Sequence, residues 1–260
     1  LNPAVLLGDP ALIKQHLEAA GAYGSPIRTA VNTFLVNTGE KLVLVDCGGA
    51  RMLGPTAARL PQGLAQIGID PAQIDEVYIT HMHGDHLHGA VTPEGAKLFP
   101  NAVLRIAKPD VDHWANPAVE AAAPADQKGR FAAAKRAVAA YGDRLQTFQL
   151  GAELTPGIRS VAAAGHTPGH SCYLVTSGTA RLLLLGDTMH VAPVQFPRPE
   201  ITVAFDHSQD DARARRKELF EMAAKENMLI GAVHLPFPGI GRLRAKDSGF
   251  TYEPLPWQLY

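Results

Sequence analysis

The sequence predicts an α/β fold in which strand hairpins alternate with helices. Short apolar runs rich in β-branched side chains recur along the chain, separated by stretches with helical periodicity. Each half of the chain shows strand hairpins followed by a helix, and side chains that can bind metals follow several of the predicted strands. A length of 260 residues fits one large domain or two small ones, and we favour a single domain, 1–260.

The first predicted elements lie in an N-terminal segment, residues 1–30, and the hairpin that follows it. Residues 10–20 have helical character, and Asp9 before them can cap the helix. Residues 31–36 and 41–45 are apolar runs on either side of a polar turn, which is typical of a hairpin. Asp46 ends the second run, where it could orient a histidine or simply occupy the turn.

Helical and strand segments alternate through the rest of the chain. Residues 54–67 are predicted as a helix, and residues 109–150 as a helical insert or lid that interrupts the strand pattern. The later predicted strands are 158–164, 172–176, 181–185 and 228–233, the last strong one. Residues 209–226 are predicted as a charged amphipathic helix in a solvated outer layer.

Composition excludes several classes of protein. The net charge of −1 leaves no excess of basic residues for the surface that nucleic-acid-binding proteins usually carry. No apolar run is long enough for a membrane helix. Two cysteines, Cys47 and Cys172, are too few for a disulfide framework, and the sequence leaves a single bridge between them open.

The segment 80–86, THMHGDH, concentrates metal-binding side chains at the end of a predicted strand. Its candidate ligands are His81, His83, Asp85 and His86. The first two histidines share one side of an extended chain, and Gly84 lets the loop turn the other two side chains back. Two groups that diverge from one loop suit two adjacent metal ions. The alternative, chance clustering, is a poor match for a chain with 11 histidines in 260 residues.

Further candidate ligands follow three later strands. They are His170, Asp187 and His234. Loops held by a rigid scaffold are where functional sites usually lie. Seven ligands divide between two ions if one carboxylate is shared, and imidazole and carboxylate donors without cysteine suit Zn²⁺, with Mn, Co or Fe as alternatives.

These motifs resemble those of the metallo-β-lactamase superfamily of hydrolases. The matching segments, in the family's order, are HMHGDH (81–86), TPGH (167–170), GD (186–187) and His234. Within the superfamily the chain is most similar to methyl parathion hydrolase and its lactonase-like relatives, through FLVNTG (34–39), LVLVD (42–46), YITHMH (78–83), HTPGH (166–170) and HLPFPGIG (234–241). The resemblance implies a four-layer αβ/βα sandwich of two mixed β-sheets.

The resemblance also implies a role for each candidate ligand. It assigns His81, His83 and His170 to the first metal, Asp85, His86 and His234 to the second, and Asp187 to a bridging position. His166 has only a supporting place, and His88, which stands where the family usually has glycine, is left without a role.

The implied mechanism uses a hydroxide that bridges two divalent ions as the nucleophile. Asp85 could accept a proton while it ligates, and His190 could hydrogen-bond the electrophilic oxygen, protonate the leaving group or only line the wall. The predicted substrate-binding residues are Leu53, Trp114, Phe131, His190 and Phe205. They are mostly apolar, which favours a small neutral substrate, a hydrophobic lactone or aryl ester before an organophosphate triester. For Phe131 alone, ordinary helix packing is the alternative.

Four other functions compete with this prediction. They are a phosphotriesterase of the methyl parathion hydrolase type, a thioesterase of the glyoxalase II type, a nucleic-acid-processing nuclease of the same fold and a mononuclear iron dioxygenase. The nearly neutral charge weighs against the nuclease. The thioesterase should show a basic cluster, whereas residues 235–260 contain only Arg242, Arg244 and Lys246. A dioxygenase would leave part of the ligand set unused. The resemblance further suggests a homodimer and export to the periplasm, with a cytoplasmic location as the alternative.

Overall fold

The computed structural model describes residues 1–125 and 127–256, apart from the side chains of Leu53 and Pro55. The predicted pocket side chain of Leu53 therefore lies outside the described residues. The α-helices are α1 (Pro10–Ala19), α2 (Leu60–Gln66), α3 (Gly84–Leu87), α4 (Lys108–Trp114), α5 (Pro117–Ala122), α6 (Phe131–Tyr141), α7 (Ala192–Gln195) and α8 (Gln209–Lys225). In this described part of the chain, no helix has the length and apolar character needed to cross a membrane.

The strands are as follows in chain order. They are β1 (Leu6–Leu7), β2 (Phe34–Asn37), β3 (Leu42–Val45), β4 (Glu76–Ile79), β5 (Val103–Ala107), β6 (Leu145–Phe148), β7 (Glu153–Thr155), β8 (Ile158–Ala162), β9 (Ser171–Ser177), β10 (Ala180–Leu184), β11 (Thr202–Val203), β12 (Leu229–Gly231), β13 (Ile240–Lys246) and β14 (Gly249–Pro254). The chain divides into two compact units, here called the central unit, Thr33–Ala152, and the flanking unit, Leu1–Asn32 with Glu153–Tyr260.

The central unit contains a five-stranded mixed sheet in the order β2-β3-β4-β5-β6. Strands β2 and β3 form the predicted antiparallel hairpin, and the remaining pairs are parallel. Strand β4 is buried at every position, as expected for a parallel strand covered on both faces. Helices α4 to α6 connect β5 to β6, so the helical part of the predicted insert ends at Tyr141 and β6 belongs to the sheet.

The predicted helix at 54–67 is shorter than expected. The chain forms short 3₁₀ turns at Ala50–Leu53 and Pro55–Ala57, and α2 begins only at Leu60, with Pro61 in its first turn. Proline has no N–H to donate, so it is tolerated at a helix start but not within a helix. The physical reason for the difference is therefore the position of Pro61.

The flanking unit contains a seven-stranded mixed sheet in the order β14-β13-β12-β10-β9-β8-β7. The predicted hairpin is present as β9 and β10, and β10 runs parallel to β12. The expectation that 228–233 is the last strong strand is wrong, because β13 and β14 pair beyond it. Arg242 and Arg244 alternate with buried positions along β13. Because of these charged side chains the sequence does not look like an apolar strand, although the other face of β13 is apolar.

The N-terminal residues pack within the flanking unit. Helix α1 has the predicted cap, since Asp9 Oδ1 accepts a hydrogen bond of 2.8 Å from the Ala11 N–H. Strand β1 pairs with β11, and Leu17 joins an apolar cluster with Val191 and other residues of this region. Cys47 and Cys172, one in each unit, are both buried and free, so no disulfide joins them.

Candidate metal centre

Imidazole and carboxylate side chains gather just after strand ends in both units. The candidate ligands are His81, His83, Asp85 and His86 in the central unit, and His166, Asp187 and His234 in the flanking unit. The central group follows β4, and the others follow β8, β10 and β12. Strand ends therefore position these side chains, among which His166 stands where the sequence analysis placed His170.

The central unit holds its four candidate ligands as two close pairs. His81 Nε2 lies 3.0 Å from His83 Nδ1, and His86 Nε2 lies 3.6 Å from Asp85 Oδ2. His81 and His86 are buried, whereas the Asp85 side chain is 25% exposed. The Asp85 carboxylate is thus partly accessible to water, whereas the His81 and His86 rings are not.

Gly84 has a different role from the one predicted. It opens α3 with an ordinary helical backbone, so no unusual turn conformation is needed there. A Cβ at this position would lie 2.7 Å from both the His88 ring and the Met52 methyl group. Glycine therefore allows close packing, and His88, which the sequence left without a role, packs against this position.

Asp46, at the end of β3, orients the loop of residues 80–86, here called the ligand loop. Its Oδ1 accepts a 2.8 Å hydrogen bond from the Thr80 N–H, and its Oδ2 accepts one of 2.9 Å from the Thr80 hydroxyl. The same Oδ2 lies 2.8 Å from His86 Nδ1. A carboxylate only accepts, so the proton of a neutral His86 is on Nδ1 and its lone pair is on Nε2. Of the two roles left open for Asp46, the structure supports the orienting one.

Asp110 and Trp114, both on α4, also contact the ligand loop. The buried carboxylate of Asp110 accepts a 2.7 Å hydrogen bond from the Met82 N–H, a contact that the sequence analysis missed because nothing distinguishes Asp110 from exposed acidic neighbours. The Trp114 ring lies edge-on to the His83 ring, with the ring centroids 5.1 Å apart. It is tilted against the Phe131 ring, with the centroids 5.0 Å apart. Trp114 and Phe131 are buried in the apolar core of the central unit. For Phe131, this position corresponds to ordinary helix packing, the alternative to a role in the substrate pocket.

Asp187 is the centre of the histidine cluster in the flanking unit. It lies in the 3₁₀ turn Gly186–Thr188 that follows β10. Its Oδ2 is 3.3 Å from His166 Nε2, 3.3 Å from His234 Nε2 and 3.0 Å from His190 Nε2. All four side chains are buried. Three imidazoles converging on one carboxylate have the donor chemistry of a divalent metal site.

The outer nitrogens of two of these histidines are held by acceptors. His166 Nδ1 lies 2.7 Å from Asp206 Oδ1, and His234 Nδ1 lies 2.9 Å from the Ala30 carbonyl oxygen. Such partners fix the ring orientation of ligating histidines and place the lone pair on Nε2. The residues present therefore fit a divalent metal ion.

The charge of the His166 ring follows from its two carboxylate neighbours. Burial by itself lowers the pKa of His166, but hydrogen bonds to Asp187 and Asp206 outweigh it and raise the pKa to about 9. Without a metal, the ring is therefore protonated at neutral pH and donates to both carboxylates. Metal binding requires loss of this proton.

The structure gives the two histidines of the HTPGH motif different surroundings. His170 Nδ1 lies 3.0 Å from the Ala163 carbonyl oxygen, and its Nε2 accepts a 3.0 Å hydrogen bond from the Asp187 N–H. Both nitrogens of His170 thus contact main-chain groups beside the Asp187 turn, while His166 presents Nε2 to the Asp187 carboxylate. The assignment of His170 to the first metal stays a prediction. The motif offers two histidines four residues apart, and the sequence alone does not say which faces the site.

His190 and Phe205 lie beside the same cluster. The His190 ring stacks on the His234 ring at 5.1 Å and meets the Phe205 ring edge-on at 5.0 Å. Burial lowers the pKa of His190 to about 4, so the ring is neutral at pH 7. A neutral His190 that donates through Nε2 to Asp187 has no second proton, and this argues against its predicted role as the acid for a leaving group.

Comparisons with known proteins show which family and which structures this chain is similar to. A family model described as "Metallo-beta-lactamase superfamily" matches residues 26–234. The crystal structure of hydrolase AbOPH, in the β-lactamase superfamily, is 31% identical, with a TM-score of 0.93 over 99% of this chain and 91% of that one. AidC, a dizinc quorum-quenching lactonase in complex with a product, is 28% identical, with a TM-score of 0.89 over 97% and 88%.

A curated relative is similar over a shorter region. Atrochrysone carboxyl ACP thioesterase AgnL7 of Paecilomyces divaricatus is 27% identical over 159 residues, which are 61% of this chain. The match spans only 39% of that relative's length. Together with the two structural neighbours, whose matches cover nearly the whole chain, the comparisons confirm the predicted α/β fold with its two mixed sheets.

Proposed function

The chain belongs to the metallo-β-lactamase superfamily, and from this membership we propose that it opens hydrophobic lactones or cleaves aryl esters with two bound metal ions. It is a hydrolase of this superfamily, with a cluster of histidine and aspartate side chains that can bind metal. The observation that carries the proposal is the Asp187 carboxylate, because its Oδ2 meets the Nε2 atoms of His166 and His234 while the other nitrogen of each ring is held by an acceptor.

Seven residues would hold the two ions in this proposal. We assign His81, His83 and His166 to one ion, Asp85, His86 and His234 to the other, and Asp187 to both. His166 is proposed here because its Nε2 faces Asp187, whereas the family resemblance assigns His170 to this ion, and that assignment stays a prediction. Nitrogen and carboxylate donors without thiolate suit Zn²⁺, and Mn, Co or Fe are alternatives. The description of AidC as a dizinc lactonase supports zinc.

The residues of this chain would divide the work of hydrolysis. Bound divalent ions would supply a nucleophile from water at neutral pH and polarise the bond to be cleaved. Asp46 and Asp206 hold His86 and His166 in the tautomer that binds metal through Nε2. Asp85, the partly exposed carboxylate of the set, would accept a proton as the ring or ester opens.

The proposed substrate is small, neutral and hydrophobic. Aromatic rings lie beside candidate ligands in each unit, with Trp114 against His83 and Phe205 against His166. Apolar walls with few polar groups are typical of sites for such ligands. His190, neutral and bonded to Asp187, would hold that carboxylate and form part of the wall. The lactonase AidC supports an acyl substrate over a phosphotriester.

A thioesterase is the second candidate function, because the curated relative AgnL7 is a thioesterase. The substrate panel that tests the proposal therefore includes a thioester. The purified protein, loaded in turn with Zn²⁺, Mn²⁺ and Co²⁺, is assayed for kcat/KM on dihydrocoumarin, an acyl-homoserine lactone, phenyl acetate, a thioester and methyl parathion.

We expect a lactone or the aryl ester to give the highest kcat/KM. Chelation should abolish turnover and added metal should restore it. A preference of orders of magnitude for the phosphotriester or the thioester would overturn the proposed substrate class. A homodimer, and the absence of nucleic-acid and membrane partners, stay predictions.

A further inference from the structure

The guanidinium of Arg216 is buried against the segment that follows Asp187. Helix α8, expected in a solvated outer layer, turns this one charged side chain inward, where it is 1% exposed. Its Nε donates to the Thr188 carbonyl oxygen at 2.5 Å. Its Nη1 donates to the carbonyl oxygens of Pro199 at 3.1 Å and Ile201 at 2.8 Å. One side chain thus ties both ends of the segment that contains His190.

The same guanidinium approaches the carboxylate that orients His166. Arg216 Nη2 lies 3.7 Å from Asp206 Oδ2, which also accepts a 3.1 Å hydrogen bond from the Val203 N–H. The other oxygen of Asp206 lies 2.7 Å from His166 Nδ1. Arg216 therefore contacts the residue next to Asp187 and, through Asp206, the outer nitrogen of His166.

Stability alone is a weak reason to keep an arginine at this position. Removing a charged group from water is costly, and well-packed apolar side chains often stabilise a buried site as well as an ion pair does. The planar guanidinium, however, presents its N–H groups in fixed directions, which an ammonium group cannot reproduce. The three carbonyls and Asp206 use that geometry.

We propose that Arg216 is a positioning residue, which holds the Asp187 turn and the Asp206 carboxylate in register and so sets the placement of His166 relative to Asp187. The inference rests on the proposed function only in that it treats these two residues as metal ligands. The positioning itself is a property of the metal-free protein and can be measured there.

The test compares Arg216→Lys with Arg215→Lys, a matched change on the same helix. Arg215 pairs with Glu218 at 2.6 Å on the outside of α8. In the metal-free protein, NMR follows the His166 Nδ1 proton, and hydrogen exchange follows the Asp187 amide, which donates to His170. Arg216→Lys should shift the His166 resonance and speed exchange at Asp187. Arg215→Lys should change neither.

A chelator competition with Zn²⁺ alone then measures metal affinity. Changes in groups that orient ligands typically weaken metal binding by about 10- to 100-fold, and we expect Arg216→Lys to fall in this range. Because Arg216 acts partly through Asp206, the loss should be smaller when Asp206→Asn is already present. Losses that simply add would overturn the proposed route through Asp206.

The outcomes separate this inference from the proposed function. An unchanged His166 resonance with unchanged exchange at Asp187 overturns the inference, whatever the metal affinity. If both change but the wild-type protein binds no divalent ion, the inference holds and the proposed function fails. A lower melting temperature with both readouts intact would show a structural role only and would also overturn it. If Arg216→Lys does not fold, Arg216→Gln carries the same measurements.

Discussion

The carboxylate of Asp46 lies 2.8 Å from Nδ1 of His86 and also accepts two hydrogen bonds from Thr80, so a single side chain at the end of β3 fixes both the backbone and an imidazole of the ligand loop. In the flanking unit, Asp206 stands in the same relation to His166. Both acidic residues hold a histidine through Nδ1, and Nε2 then faces Asp85 in one case and Asp187 in the other.

Asp46→Asn should weaken metal binding by about 10- to 100-fold, because an amide cannot hold the His86 ring with a charged acceptor. Chelator competition measures the change. Asp112→Asn, which alters an exposed carboxylate paired with Lys108 in the same unit, is the control and should leave the affinity unchanged. Equal affinities for wild type and Asp46→Asn would show that Asp46 is only a turn residue.

The proposal that His166, and not His170, binds the first metal predicts different defects for two alanine variants. His166→Ala should lose one metal ion per chain and most activity. His170→Ala should keep both ions but lose about 1–3 kcal/mol of unfolding free energy, because it leaves the buried Asp187 N–H without its acceptor. Metal analysis and denaturant unfolding check both variants. Retention of both ions by His166→Ala would restore the original assignment.

The raised pKa of His166 predicts how the stability of the metal-free protein depends on pH. The folded protein holds the His166 proton up to a pKa of about 9, whereas an unfolded chain releases it near its ordinary value of about 6.5. The contribution of His166 to stability is therefore complete below about pH 6.5 and is lost as pH rises through about 9.

The measurement compares the free energy of unfolding of metal-free wild type and His166→Gln across this window. The difference between the two should shrink as the pH rises, since the variant lacks the titrating ring. Metal loading should remove the slope, because a ligating imidazole is already neutral. A difference that grows with pH would contradict the assignment of the proton.

Gly89 should tolerate no side chain. Its Cβ would lie 1.9 Å from the Cys47 carbonyl oxygen, which is backbone and cannot move aside easily. Gly89→Ala should therefore destabilise the protein by about 1–3 kcal/mol or more, as overpacked sites do. Gly63→Ala in α2, where a Cβ meets nothing within 4 Å, is the matched control and should be neutral or slightly stabilising. Thermal unfolding of both variants gives the comparison.

Much of the fold and of the site could be predicted from local sequence patterns. Asp9 and Pro10 mark the start of α1 in the sequence. The candidate ligands after β4, β10 and β12 can also be found there, because each follows a recognisable strand and lies in a loop, where functional side chains usually occur. What the sequence missed depends on distant contacts. In the sequence, Asp110 and Arg216 look like ordinary charged helix residues. Their contacts, from the Met82 N–H to Asp110 and from Arg216 to the Thr188 carbonyl oxygen, join positions far apart in the chain.

Two features depend on contacts that local sequence does not reveal. The nitrogens of His166 contact Asp206 and Asp187, and those of His170 contact two backbone groups. Strand β13 is hard to predict from its sequence because it contains two arginines, although these alternate with buried residues. The division into a single domain with an N-terminal segment and an insert stays a prediction.

The number of divalent ions bound per chain tests the central claim most directly. Elemental analysis measures this number in the purified, metal-reconstituted wild type and in Asp187→Ala. Activity on the best lactone or ester is recorded for both proteins in parallel. We predict two ions in the wild type, fewer in the variant, and activity that falls with the loss. A protein that hydrolyses the substrate at full rate with one ion or none would contradict the account.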